Sequence, residues 1–235
     1  MEIPQKLLKK INSDFYDLKT YKDLMKLLSS NYKFKLFDEK NKISGIYLRH
    51  DIDVHPVIVE ELLSIYSEYK IKANFFFLIN SPNYNVFSND FKLLVNKLKK
   101  KKHLVGMHIC NDLKWSQRDI HQFQDYFEKN LGFNKALSFH QPNKENIEMK
   151  MKNIVNVYDS RFFSDDKYIS DSNKKNSFLS KLINFVNMKK KTFQVLVHPI
   201  WWNSNKNNLD KKIKKILSNQ YNDYISSISK KLVIR

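Results

Sequence analysis

Short runs rich in β-branched and aromatic residues alternate along this chain with longer segments whose apolar residues recur every three to four positions. This alternation constrains the fold most, because strand, helix, strand in succession demands a parallel sheet with helical crossovers, open or closed. "SGIYLRH" (44–50), "KANFFFLI" (72–79), "HLVGMHI" (103–109), "ALSFH" (136–140) and "FQVLVHPI" (193–200) read as strands, with short candidates at 153–160 and 167–172. Helical spacing covers 17–31, 56–70, 89–101, 116–130, 176–189 and 209–231. "KANFFFLI" is apolar enough to be covered on both faces, as parallel strands are. No repeat, low-complexity linker or composition break marks a second domain, so residues 1–235 are expected to form one domain with a helical N-terminal extension over about 1–40.

The predicted strands end in acids and histidines. Asp51 and Asp53 follow the first, His108 ends the third, His140 ends "ALSFH", Asp171 follows "KYIS" and His198 ends "FQVLVH". In a parallel α/β barrel the C-terminal strand ends meet on one face, and that face carries the chemistry. A single strand-end histidine is more often satisfied by its neighbours than a ligand. Five segments delivering Asp or His to one rim point instead to a metal held by His and carboxylate, with a further carboxylate and His left for acid–base work. The spacing in Asp51-Ile52-Asp53 puts both carboxylates on one side of an extended segment.

Charge and composition narrow the partners. A net charge of +18 invites a nucleic-acid reading. The lysines are scattered, however, and accompany many Asn and Ile and only three Gly, as an AT-rich coding sequence would produce. The densest run, "KLLVNKLKKKKH" (92–103), reads as the polar face and end of an amphipathic helix. No nucleic-acid partner is therefore expected, and a weak attraction to an anionic membrane surface stays open. The rival to an enzyme is a non-catalytic basic binder of nucleic acid or an anionic surface. Cys110 is the single cysteine, which excludes an internal disulfide and fits a reducing compartment. The N-terminal residues lack the apolar run and cleavage site of a signal peptide, and no apolar run approaches the roughly 18–20 residues of a membrane span, so a cytoplasmic protein is expected.

"LRHDID", "KANFFFLINSPNYNVFS", "HLVGMHI", "SFHQP", "YISDS" and "LVHPIWW", in that order over about 44–203, resemble the polysaccharide deacetylase superfamily (NodB-like, carbohydrate esterase family 4). They are most similar to its divergent branch that opens with an Arg-His-Asp-Val-Asp type motif. The resemblance implies a distorted (β/α) barrel with fewer than eight parallel strands. It also implies metal-dependent hydrolysis of a C–N amide bond, usually removal of N-acetyl from an amino sugar. On its pattern Asp51 is the general base, Asp53 and His108 bind the metal, most simply zinc, and His198 is the general acid. With a cytoplasmic location, the expected substrate is a nucleotide- or lipid-linked amino-sugar precursor of a surface glycan. The alternative is a hydrolase of another small amide or ester on the same barrel.

The chain departs from the family pattern in two places. The family's second metal histidine, four positions after the first, is here Asp112, so the third ligand is expected to be His140, with Asp112 the weaker alternative. His103 lies an odd number of residues before His108 and should face the other way. The family's third motif carries an arginine that orients the base; this chain has "HQP", leaving Gln141 or His140 in that place. Arg49 and Asp171 are expected to pair beneath the site and orient the base. Trp201 and Trp202 offer a sugar-stacking platform, with one of them core. His55 reads as part of a helix start, Cys110 as a small buried residue rather than a thiolate ligand, and Tyr84 as either packing or substrate-side.

Overall fold

The structure, a computed structural model, describes residues 16–37, 44–110, 114–172, 177–202 and 209–232. Among the described residues, helix α1 (Leu18–Asn31) is followed by β1 (Gly45–Ile52), α2 (Ile58–Glu68), β2 (Asn74–Leu78), α3 (Asn89–Lys100), β3 (Leu104–Cys110), α4 (Gln117–Leu131) and β4 (Ala136–His140). Then come α5 (Lys144–Glu148), β5 (Val155–Asn156), β6 (Tyr168–Ser170), α6 (Ser177–Asn187), β7 (Thr192–Val197), α7 (Pro199–Trp202) and α8 (Leu209–Leu232).

The seven strands form one sheet in the order β5-β4-β3-β2-β1-β7-β6, and every pair is parallel. This is the circular order of a (β/α) barrel with one seam, between β5 and β6, left without strand pairing. The fold is thus a distorted (β/α) barrel with fewer than eight strands. Side chains tie the seam instead: Gln194 Nε2 on β7 donates to the carbonyls of Val157 (3.0 Å) and Phe162 (3.4 Å).

Every residue of β1 and β2 is buried, as expected where helices cover the outside and side chains fill the inside. The two-residue period of β1 sorts its residues. Tyr47 and Arg49 point inward with Asp51. Tyr47 packs between Phe37 and Phe162, with ring centroids at 5.0 and 4.8 Å. Phe76 fills the space beside Gly106, its register partner on β3, where an added Cβ would meet the Phe76 ring at 2.6 Å. His50, between Arg49 and Asp51, points outward to Tyr66 of α2, whose hydroxyl lies 2.6 Å from both His50 Nε2 and Tyr21 of α1.

Within the described residues, 16–31 pack onto the barrel. Asp17 caps α1 by accepting from Thr20 N–H, and Tyr21, Leu24, Met25 and Leu28 are buried in the main core. Residues 1–15 of the expected extension lie outside the described residues. The expected strand 193–200 stops at Val197, because Pro199 opens the helical turn α7. The strand candidates at 153–160 and 167–172 shrink to Val155–Asn156 and Tyr168–Ser170. Lys97, Lys99 and Lys100 occupy the last turn of α3, where the helix dipole favours cations. No helix among the described residues is long and apolar enough to cross a membrane.

Two outward histidines make the fold acid-sensitive. Burial pushes His50 down to about 3 and His103, packed on Tyr66 and Phe75, down to about 4. The unfolded chain takes up these protons near pH 6.5, before the folded one does, so stability falls as pH drops below that value. The slope is on the order of 1.4 kcal/mol per pH unit for each histidine, until its folded value is reached. Urea midpoints should therefore drop steeply between pH 6.5 and 5, and His103→Gln should remove about half of that slope.

Candidate metal centre and active site

Parallel strands deliver the polar groups to one end of the barrel. Asp51 and Asp53 come from the end of β1, His108 from β3, Ser138 and His140 from β4, and His198 from the residue after β7. Asp171 directly follows β6, and its backbone N–H donates to Leu196 O of β7. Asp51, Asp53, His108, His140 and His198 all line one cavity of about 400 Å³, together with Gln141, Tyr158, Phe163, Tyr168 and Trp201 among others. A larger groove, about 650 Å³, lies between α3 and α4 and is lined by lysines, Asn, Leu and Gly, without the groups that hold metals or move protons.

Asp53, His108 and His140 each offer a ligand atom, and the three atoms lie within 4.8 Å of one another. His108 Nε2 stands 3.1 Å from Asp53 Oδ1, and His140 Nδ1 stands 3.4 Å from the same oxygen. Bonds of about 2.1 Å to a tetrahedral ion put neighbouring donors about 3.4 Å apart, so these separations suit one metal. His108 Nε2 and Asp53 Oδ1 are buried, and neither has an aligned hydrogen-bond partner despite their closeness. Two buried lone-pair donors left side by side without a hydrogen to accept are costly unless something else engages them, and a divalent cation would satisfy both. Burial alone would raise the Asp53 carboxyl; the rings of His108 and His140 outweigh it and hold the group well below the usual range. Asp53 in turn raises His140. Asp112 lies outside the described residues.

Beside this cluster Asp51 is buried and held by Arg49 on the same strand. Arg49 Nε donates to Asp51 Oδ1 (2.8 Å) and Nη2 to Asp51 Oδ2 (2.6 Å), a forked pair. The remaining guanidinium contacts go to Gln194 Oε1 (3.2 Å) and Tyr158 Oη (2.8 Å), with the Tyr158 ring 4.8 Å below the charge. Burial opposes ionisation of Asp51, but the Arg49 charge and then His108 prevail and lower its pKa.

His198 has its own anchor. Its Nδ1 lies 2.6 Å from Asp171 Oδ1, its backbone N–H donates to the same carboxylate at 3.0 Å, and Trp202 Nε1 donates to Asp171 Oδ2 at 2.8 Å. Because the carboxylate only accepts, His198 Nδ1 carries the proton in that bond and Nε2 is left facing Asp53 at 3.8 Å. Burial disfavours the imidazolium, but the Asp171 charge and hydrogen bond overcome it and raise His198 to about 9.

The partners differ from expectation in three respects. Arg49 and Asp171 each hold a different group, Asp51 and His198, rather than each other. The arginine that holds the Asp51 carboxylate is Arg49, on the same strand, and neither Gln141 nor His140 takes that place; His140 faces Asp53, and Gln141 lines the cavity in the left-handed backbone region (φ 49°). Trp202 is fully buried, with its ring against Tyr16 and Tyr21, so it serves Asp171 rather than a sugar; Trp201 is the one at the cavity. His55 Nδ1 accepts from Val57 N–H ahead of α2, Tyr84 stacks on Phe91 and donates to Ile52 O, and Cys110 ends β3 half-buried.

Ser138, Tyr158 and Gln194 were not anticipated. The signal for Gln194 was a lone polar residue inside "FQVLV", and for Ser138 its place two residues before His140, on the same side of a strand. Tyr158 carried no comparable signal.

No family model matches the chain, and no curated protein matches it. Among solved structures it is similar to the peptidoglycan deacetylase PdaC from Bacillus subtilis, at 20% identity and TM-score 0.46, over 76% of this chain and 85% of that one. A Streptococcus mutans CE4 esterase is similar at 12% identity and TM-score 0.44, over 89% and 88% of the two chains. The Bc1960 peptidoglycan N-acetylglucosamine deacetylase is similar at 16% identity and TM-score 0.40, over 81% and 89%. In the motifs that build the site, "RHDID" on β1, "HLVGMHI" on β3, "SFHQP" from β4 and "HPIWW" after β7, the chain resembles the polysaccharide deacetylase superfamily.

Proposed function

We propose that the protein is a metal-dependent N-deacetylase of amino sugars. The observation that carries this reading is that a carboxylate and an imidazole, each locked by a separate buried partner, open onto the same cavity as a three-residue metal-ligand cluster. Asp53, His108 and His140 would hold the ion, and one carboxylate with two imidazoles suits zinc with positions left open. When bound, such an ion polarises an amide carbonyl and acidifies a water. Asp51 would serve as the general base that accepts the proton of an attacking water. His198, kept protonated through neutral pH by Asp171, gives its Nε2 proton to the departing nitrogen, without which an amine cannot leave. Trp201, Phe163 and Tyr168 supply aromatic wall for a sugar ring or its acyl group.

The test is release of acetate by zinc-loaded protein from a panel of nucleotide-linked, lipid-linked and free oligomeric N-acetyl amino sugars. Turnover of one class supports the reading and selects the substrate. Ester cleavage with no amide cleavage would replace it by an esterase on the same barrel. The ligand set has its own check: metal-free protein should take up one equivalent of zinc in a chelator competition. His108→Ala should weaken that binding by more than about 10²-fold, beyond the loss usual for an outer residue. His198→Ala should keep the metal and lose about 10²–10⁴-fold in turnover, as removal of a general acid does.

A further inference from the structure

We propose that Ser138 is a positioning residue that makes His108 a competent metal ligand. It rests on the reading of Asp53, His108 and His140 as the ligand set. Ser138 and His108 are register partners across β4 and β3, and both are buried. Ser138 Oγ lies 2.6 Å from His108 Nδ1 and 3.5 Å from Asp51 Oδ1.

A hydroxyl has one hydrogen to give and can accept from a second group. Asp51 is an ionised carboxylate in the grip of Arg49, so it can only accept. The serine hydrogen therefore turns toward Asp51, and the serine oxygen accepts from Nδ1–H of His108. With its proton on Nδ1, the ring presents a bare Nε2. The opposite arrangement would put the proton on Nε2, where no aligned acceptor receives it. Nδ1 bonding to an outer group is how a protein fixes which imidazole nitrogen faces a metal. Ser138 thus connects the base to the metal ligand, one layer inside the cavity wall.

Three variants and one spectroscopic measurement test this. In metal-free parent protein, nitrogen-15 NMR should find His108 as the Nδ1–H tautomer. Ser138→Ala should weaken zinc binding by about 10–100-fold in chelator competition, the range for loss of an outer partner of a ligating histidine. Ser138→Cys nearly keeps the volume but offers only a weak acceptor, and should behave like Ser138→Ala. Ser138→Thr keeps the hydroxyl and should restore most of the affinity. The urea midpoint of each variant separates a packing loss, which would lower stability but leave zinc affinity alone. Ser138→Ala or Ser138→Cys folding and binding zinc as the parent does, or an Nε2–H tautomer in the parent, would overturn the role of the serine. Parent protein that takes up no zinc would instead overturn the ligand set on which it stands.

Discussion

Asp51→Asn is expected to lower turnover of an N-acetyl amino sugar by about 10²–10⁴-fold while zinc content stays close to the parent's. The substitution keeps the shape of the side chain and removes its ability to take a proton. Asp51 lies outside the cluster of Asp53, His108 and His140, so the ion keeps its donors. It does lose something else: an amide can accept from only one arm of the Arg49 fork, and its NH₂ then faces a guanidinium that only donates. A drop of stability on the order of 1–3 kcal/mol should therefore accompany the loss of rate, as for any buried donor left without an acceptor. Zinc analysis, a urea titration and a single-turnover assay on the same preparation separate these effects. Turnover within a few-fold of the parent's, in folded and zinc-loaded Asp51→Asn, would remove Asp51 from the chemistry and leave the base to be sought elsewhere in the cavity.

The local pattern of the site was legible in the sequence, and its pairings were not. The alternation in "RHDID" follows from strand geometry alone: Arg49, Asp51 and Asp53 go inward, and His50 goes out to Tyr66. The same rule sent His103 away from His108. The odd spacing turned it toward Ala73 and Tyr66. Which inward group meets which depends on the register of strands far apart in the chain. β1 and β7 pair with Arg49 opposite Leu196, which leaves Arg49 below the rim, beside Asp51. Asp171 emerges after β6 at the level of His198. No composition or periodicity carries that register, so an expected Arg49–Asp171 pair became two pairs with distinct tasks. Trp201 and Trp202 were undecided for a similar reason. Pro199 starts a helical turn, and successive residues of a helix point in different directions, so one ring reaches the cavity and the other the core.

Arg49→Met is expected to be among the most damaging single changes in the chain. Arg49 is fully buried, its charge is held by Asp51, and it also bonds Tyr158 and Gln194 across the unpaired seam of the barrel. Methionine fills much of the volume but leaves Asp51 as a buried carboxylate without its counter-charge. Breaking one side of such a pair costs about 3–5 kcal/mol, whereas replacing both sides with neutral groups costs far less. The double variant Arg49→Met/Asp51→Asn should accordingly be more stable than Arg49→Met alone, although neither should turn over substrate. Arg49→Lys keeps the charge but cannot reproduce the fork together with the bonds to Tyr158 and Gln194, so it should fall between parent and Arg49→Met. Urea titrations of the parent, Arg49→Met, Asp51→Asn and the double variant form a double-mutant cycle, and a coupling energy of at least about 1 kcal/mol is expected for residues in direct contact. A coupling near zero would mean that Arg49 supports the seam of the barrel and not the base. In that case Arg49→Lys should retain turnover in proportion to its folded fraction, whereas an orienting role predicts a loss of kcat beyond what unfolding explains.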